Sequence, residues 1–112
     1  MIPLVVWIAV AGCTITGTPG PDALLGTSGT DVICAGAGND TIAGGPGNDV
    51  IWGGHGDDRI EGGGGSDRVN AGPGNDIIWS WDGRRDWVDG GRGSDRAWLD
   101  GFDRVFAVER RG

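Results

Sequence analysis

Aspartate recurs at Asp22, Asp31, Asp40, Asp49, Asp58, Asp67 and Asp76, one every nine residues, and two further copies follow at Asp86, after a one-residue insertion, and at Asp95. A short fixed period means one small structural unit stacked on itself, each copy too small to bury a core alone. The array runs from about Gly17 to Trp98 and leaves no room for a second domain in a chain of 112 residues.

Aligned on that Asp, the fourth position of every copy is glycine, at Gly20, Gly29, Gly38, Gly47, Gly56, Gly65, Gly74, Gly83 and Gly93. The second is Gly36, Gly45, Gly54, Gly63, Gly72 and Gly91, with Thr18, Thr27 and Trp81 in the remaining copies. The eighth is apolar throughout: Leu24, Ile33, Ile42, Ile51, Ile60, Val69, Ile78, Val88 and Ala97. Three residues in the order out, in, out make a very short strand, and six residues of Gly, Asn, Asp and Pro make a tight turn. No helical stripe exists, and two glycines in every nine residues would cost a helix about 1 kcal/mol each. The pattern predicts an all-β solenoid.

The copies GGPGNDVIW, GGHGDDRIE, GGGGSDRVN and AGPGNDIIW match GGxGxDxUx. In these residues the chain resembles the repeats-in-toxin (RTX), or hemolysin-type, calcium-binding nonapeptide family. The resemblance implies a right-handed parallel β-roll with two nonapeptides per coil, odd-numbered copies forming one sheet and even-numbered copies the other. It also implies calcium ions in the turns along both edges. The implied ligands are the carboxylates of Asp22, Asp31, Asp40, Asp49, Asp58, Asp67, Asp76, Asp86 and Asp95, with the turn glycines Gly36, Gly38, Gly45, Gly47, Gly54, Gly56, Gly63, Gly65, Gly72 and Gly74. Hard oxygen donors suit Ca²⁺, whereas zinc and copper favour His or Cys and Mg²⁺ demands a tighter octahedron. Ions sandwiched between neighbouring turns would number about seven, a count that Thr18, Thr27 and Trp81 weaken. A turn Asp that merely caps its own backbone is the metal-free alternative.

The chain holds 25 Gly and 5 Pro, a fraction at which a sequence without a period reads as disordered. Its 16 acidic residues against 9 Arg, with no Lys, leave a net charge of −7. One apolar residue per repeat is a thin core, and a row of carboxylates at strand spacing repels itself. The chain is therefore expected to be largely disordered until calcium folds it.

The acidity argues against nucleic acid as a partner. The acid lies mostly in the first half, where six Asp face no Arg before residue 59. Catalysis finds no support, because His55 is the single His and lies beside Asp57 and Asp58 with no nucleophile at a signature spacing. The loops GGHGDD and GGPGND end in Asp with no Lys following, so they would repel a phosphate.

Residues 1–12, MIPLVVWIAVAG, resemble the apolar part of a secretory signal, although no Lys or Arg precedes them. A first capping strand is the alternative, and Val10-Ala11-Gly12-Cys13 also resembles a lipoprotein cleavage box. No apolar run reaches the length of a membrane span. Cys13 and Cys34 are the sole cysteines, with no CxxC spacing, and in an exported chain they form a disulfide. The domain reading is thus a leader or capping strand over 1–12, the calcium-binding roll over 13–100, and a C-terminal cap over 101–112. In that cap Phe102, Val105, Phe106 and Val108 would cover the last coil, since a solenoid needs its open ends protected. The resemblance implies a secreted, extracellular, bacterial, non-enzymatic monomer.

Trp52, Trp79 and Trp98 fall at the outward ninth position. Trp79 and Trp98 lie on adjacent coils of one sheet, about 4.8 Å apart, where they ladder with one another or cover the C-terminal cap. The alternative function is a calcium-stabilised adhesion module whose exposed Trp residues bind polysaccharide or a cell surface. Arg59, Arg68 and Arg96 read as solvated charges.

Overall fold

The computed structural model describes residues 13–80 and 85–98 in full, together with the backbone of the strands at 104–106 and 110–111. Among the described residues twelve short strands follow one another: β1 (Ile15–Thr16), β2 (Ala23–Leu25), β3 (Val32–Cys34), β4 (Thr41–Ala43), β5 (Val50–Trp52), β6 (Arg59–Glu61), β7 (Arg68–Asn70), β8 (Ile77–Trp79), β9 (Trp87–Asp89), β10 (Arg96–Trp98), β11 (Arg104–Phe106) and β12 (Arg110–Arg111). Strands β2 to β10 occupy the seventh to ninth positions of the repeat, as the period predicts.

Two parallel sheets result, one in the order β1-β3-β5-β7-β9-β11 and the other in the order β2-β4-β6-β8-β10-β12. Successive nonapeptides alternate between sheets, so each strand pairs with the strand one coil away; Ile33 lies opposite Ile51, and Ile42 opposite Ile60. From Asp67 to Asp86 the coil is 19 residues long, with Val69 still opposite Val88. The inserted residue is therefore absorbed between β8 and β9 without a register slip. A one-residue slip within the sheet would have turned every inward side chain outward.

The inward eighth position supplies the core. Ile33, Ile42, Ile51, Ile60, Val69, Ile78, Val88 and Ala97 are all buried, with Ile15 and Leu24 packed against them at the open N-terminal end. Strands β3 to β10 each give this core one eighth-position side chain, from alternate sides.

The Cys13–Cys34 disulfide forms, with the two Cα atoms 5.9 Å apart, and joins the residues before β1 to β3 on the next coil. Closing a loop of this length contributes about 3 kcal/mol by restricting the unfolded chain. A Cys13→Ser, Cys34→Ser double variant is expected to lose about that much in urea unfolding at saturating calcium; an unchanged midpoint would mean that the staple adds nothing.

No helix occurs among the described residues, and none is long and apolar enough to cross a membrane. The leader or capping strand over 1–12 and the proposed cap side chains Phe102, Val105, Phe106 and Val108 lie outside the described residues. The backbone of β11 and β12 adds one further strand to each sheet.

Candidate metal centre

Each repeat Asp is the last turn residue before its strand, and from Asp31 onward every one is buried. The period recurs in the hydrogen bonds. The backbone N–H of Asp40 donates to Oδ1 of Asp58 at 2.8 Å, that of Asp58 to Asp76 at 2.8 Å, and that of Asp49 to Asp67 at 2.8 Å. The ladder continues from Asp67 to Asp86 and from Asp76 to Asp95, and begins where Asp22 and Asp31 donate to Asp40 and Asp49. Oδ1 thus ties one coil to the preceding one. Oδ2 of Asp40, Asp49, Asp58 and Asp76 is buried with no hydrogen-bond partner. A buried carboxylate oxygen left unpaired is costly unless a proton or a cation meets it.

What surrounds that oxygen is backbone. A methyl group placed on Gly44 would lie 2.8 Å from Oδ2 of Asp49 and 2.6 Å from the carbonyl oxygen of Gly62, one coil on. The carbonyl oxygens of Gly45 and Gly47 face Gly63 and Gly65 across the same gap. On the other edge, Gly53 sits between Oδ2 of Asp58 and the carbonyl of Ala71, while the carbonyls of Gly54 and Gly56 face Gly72 and Gly74. Each gap between two stacked turns therefore has a carboxylate oxygen on the same side as a first-position carbonyl of the next turn, with glycine carbonyls of the earlier turn facing the glycines of the later one.

Glycine is required because these turns take left-handed backbone that a side chain penalises. Gly36 and Gly38, Gly45 and Gly47, Gly54 and Gly56, Gly63 and Gly65, Gly72 and Gly74, and Gly91 and Gly93 all have positive φ. Gly56 shows the constraint, with φ of 112° and the Gly38 carbonyl pressed against the place a Cβ would take. Gly56→Ala is expected to raise the calcium needed for folding, through about 1 to 3 kcal/mol of strain plus that collision. Gly64→Ala, at the third position of the following turn and with open space around it, should stay within about 1 kcal/mol of the parent. Equal effects at the two sites, read by calcium titration, would refute the turn geometry.

Burial governs the carboxyls. It raises Asp40 and Asp49 above the usual carboxylate range, and it pushes Asp58 up to about 7 and Asp76 up to about 8. The N–H bond from the preceding coil pulls each of these values back down. Repulsion from neighbours, Asp40 and Asp57 around Asp58, and Asp58 and Asp95 around Asp76, adds to the rise.

Two features of the turns escape a search for Asp and Gly alone. The first position is small in each described copy, and Gly44, Gly53 and Gly62 there are the residues that lie against Oδ2. The fifth position builds an outer ladder: Oδ1 of Asn39, Asn48, Asp57 and Asn75 accepts the N–H of Asp57, Ser66, Asn75 and Ser94, one coil on. Trp81 and Gly83, in the eighth turn, lie outside the described residues.

The first two turns differ. Thr18 N–H donates to Oδ2 of Asp22 at 2.7 Å and its hydroxyl to Oδ1 at 2.8 Å; Thr27 does the same to Asp31 at 2.7 and 2.9 Å.

Among the described residues no three His, Cys, Asp or Glu side chains converge on one point. The donor set is one carboxylate row plus backbone carbonyls, the hard-oxygen chemistry of Ca²⁺ rather than of zinc or copper. Parallel strands of three residues, stacked between turns that bury such carboxylates, define a β-roll with cation-suited edges. The family model for the RTX calcium-binding nonapeptide repeat matches residues 14–42, 35–69, 52–85 and 61–97, and the chain belongs to that family. RTX repeats bind Ca²⁺, and their β-roll is typically a non-enzymatic module of extracellular bacterial proteins. Neither a curated protein nor a solved structure matched the chain.

The outer faces carry the tryptophans. Trp79 and Trp98 ladder as neighbours, with ring centroids 5.4 Å apart and planes 11° from parallel, and Arg96 lies over Trp98. On the opposite sheet Arg68 lies over Trp87, a residue not singled out by the ninth-position pattern because it stands at the seventh.

Proposed function

We propose that this protein binds several calcium ions between stacked turns, and that binding folds it after export. The proposed ligands are the carboxylates of Asp40, Asp49, Asp58, Asp67, Asp76, Asp86 and Asp95 with carbonyl oxygens of the turn glycines. The observation that carries the reading is the buried, unpartnered Oδ2 of Asp40, Asp49, Asp58 and Asp76, which for Asp49 and Asp58 lies near a backbone carbonyl of the next coil. A bound ion would supply positive charge to oxygens that water no longer reaches. The Cys13–Cys34 disulfide supports export, because such bonds persist in oxidising compartments. Extracellular calcium modules work at about 10⁻⁴ to 10⁻³ M, so folding would wait until the chain has left the cell.

Calorimetric titration of the full chain tests the reading. Several ions are expected to bind, Asp58→Asn should lose at least one and weaken its neighbours, and no heat at millimolar calcium would overturn it.

A second reading has its own observation. Trp52 and Trp87 are 49% and 41% exposed and border an open hollow of about 330 Å³ with Arg68, Asn70 and Asp89. An aromatic face beside amide and carboxylate groups suits a sugar, through ring stacking and hydroxyl hydrogen bonds. Quenching of Trp fluorescence by oligosaccharide in the calcium-loaded protein, lost in Trp52→Ala, is the expected signature. Identical quenching in that variant would dismiss the hollow.

A further inference from the structure

We infer that the first two turns are ion-free caps, in which Thr18 and Thr27 supply the hydrogen bonds that a cation would otherwise replace, so that calcium begins only at the third and fourth turns. The inference rests on the calcium reading above and fixes where along the roll that reading applies.

The two oxygens of each repeat carboxylate have separate tasks. Oδ1 accepts the N–H of the Asp one coil earlier, and Oδ2 faces the gap toward the next coil, as Asp49 Oδ2 lies near the Gly62 carbonyl. Asp22 and Asp31 are the first on their two edges and have no earlier repeat Asp to serve. Their Oδ1 instead accepts the Thr18 or Thr27 hydroxyl. Their Oδ2, the oxygen that would face an ion in the gaps Asp22/Asp40 and Asp31/Asp49, already accepts the Thr backbone N–H at 2.7 Å. Each hydroxyl also accepts a backbone N–H, from Gly20 or Gly29, at 3.2 Å. Those glycines, unlike Gly38 and Gly47, do not take the positive φ of the later turns. Both carboxylate oxygens are thus satisfied by the turn itself.

The remaining gaps are unequal on the two edges. One edge offers Asp40/Asp58, Asp58/Asp76 and Asp76/Asp95, each with an unpartnered Oδ2 on its first member, whereas the other offers Asp49/Asp67 before the turn that contains residues 81–84. The Thr turns would then be a preformed end onto which calcium-dependent coils stack, which is what a repeat array needs at its terminus.

Ion counting by native mass spectrometry at saturating calcium, on the full chain with its disulfide intact, tests this. Asp22→Asn and Asp31→Asn are expected to keep the parent ion count and, in titration, a half-saturation within about twofold. Asp40→Asn and Asp49→Asn should each lose an ion. Thr18→Gly and Thr27→Gly lose the hydroxyl bonds and let the second position take the positive φ of Gly36 and Gly45, in whose turns Oδ2 is unpartnered, so each, if it folds, should gain one. Loss of an ion from Asp22→Asn or Asp31→Asn, or no gain in a folded Thr→Gly variant, overturns the inference. If the Thr variants do not fold, the Asp pair decides it. A parent chain that binds no calcium refutes the calcium reading instead, so the two failures are distinguishable.

Discussion

In chelator at neutral pH the chain should lose nearly all of its far-ultraviolet β signal, and added Ca²⁺ should restore it in one cooperative step that Mg²⁺ does not reproduce. The reason lies in what each coil can contribute. One nonapeptide buries a single Ile or Val, worth about 1.5 to 3 kcal/mol, while fixing nine backbones costs several times that. Ladder hydrogen bonds narrow this difference without closing it, because they replace bonds to water. Against the fold also stand the carboxylates of each edge, stacked one strand spacing, about 4.8 Å, apart and out of contact with solvent. A cation in each gap converts that repulsion into the strongest attraction the coil has. Since it contacts two turns at once, ordering one coil prepares the next, and the transition sharpens. A full β spectrum in chelator would mean that the Asp row only caps turns, and the exposed Trp face would become the place to look for function.

Much of this architecture is legible in the sequence because a solenoid repeats its instructions. The eighth-position residues from Ile33 to Ala97 are buried as their spacing implies, and the copies alternate between two sheets as the resemblance to the RTX family implies. The period says where an Asp recurs, however, and not which of its oxygens faces which neighbour. That Oδ1 of Asp58 holds the N–H of Asp40 while Oδ2 is left among carbonyls is a consequence of stacking, visible once two coils are superposed. The ladder through Asn39, Asp57 and Asn75 was hidden for a similar reason, since its fifth position accepts Asn, Asp or Ser and shows no single letter. Thr18 and Thr27 stood out in the sequence as departures from glycine. Their hydrogen bonds to Asp22 and Asp31 give those departures a task.

Acid should act on the ion-free and the calcium-bound chain in opposite directions. Without calcium, Asp58 and Asp76 have folded-state values of about 7 and about 8, against 3.8 in the unfolded chain. Groups raised in this way favour the folded state fully below the unfolded value, and that contribution disappears as pH climbs through the folded values. In chelator, lowering the pH from about 8 toward 4 is therefore expected to increase the β signal. A protonated Oδ2 turns from an unpaired acceptor into a donor, and the turn carbonyls around it are acceptors in waiting. With calcium the sign reverses, because the ion and the proton compete for one oxygen. The calcium concentration at half-folding should rise as pH falls from about 8 to 5, by more than tenfold if two or more carboxyls release protons for each ion bound. Circular dichroism titrations across that range read both effects at once. A calcium midpoint that does not move with pH would show that the carboxyls bound by the ion are already ionised in the ion-free chain, and that burial in the turns does not hold their protons.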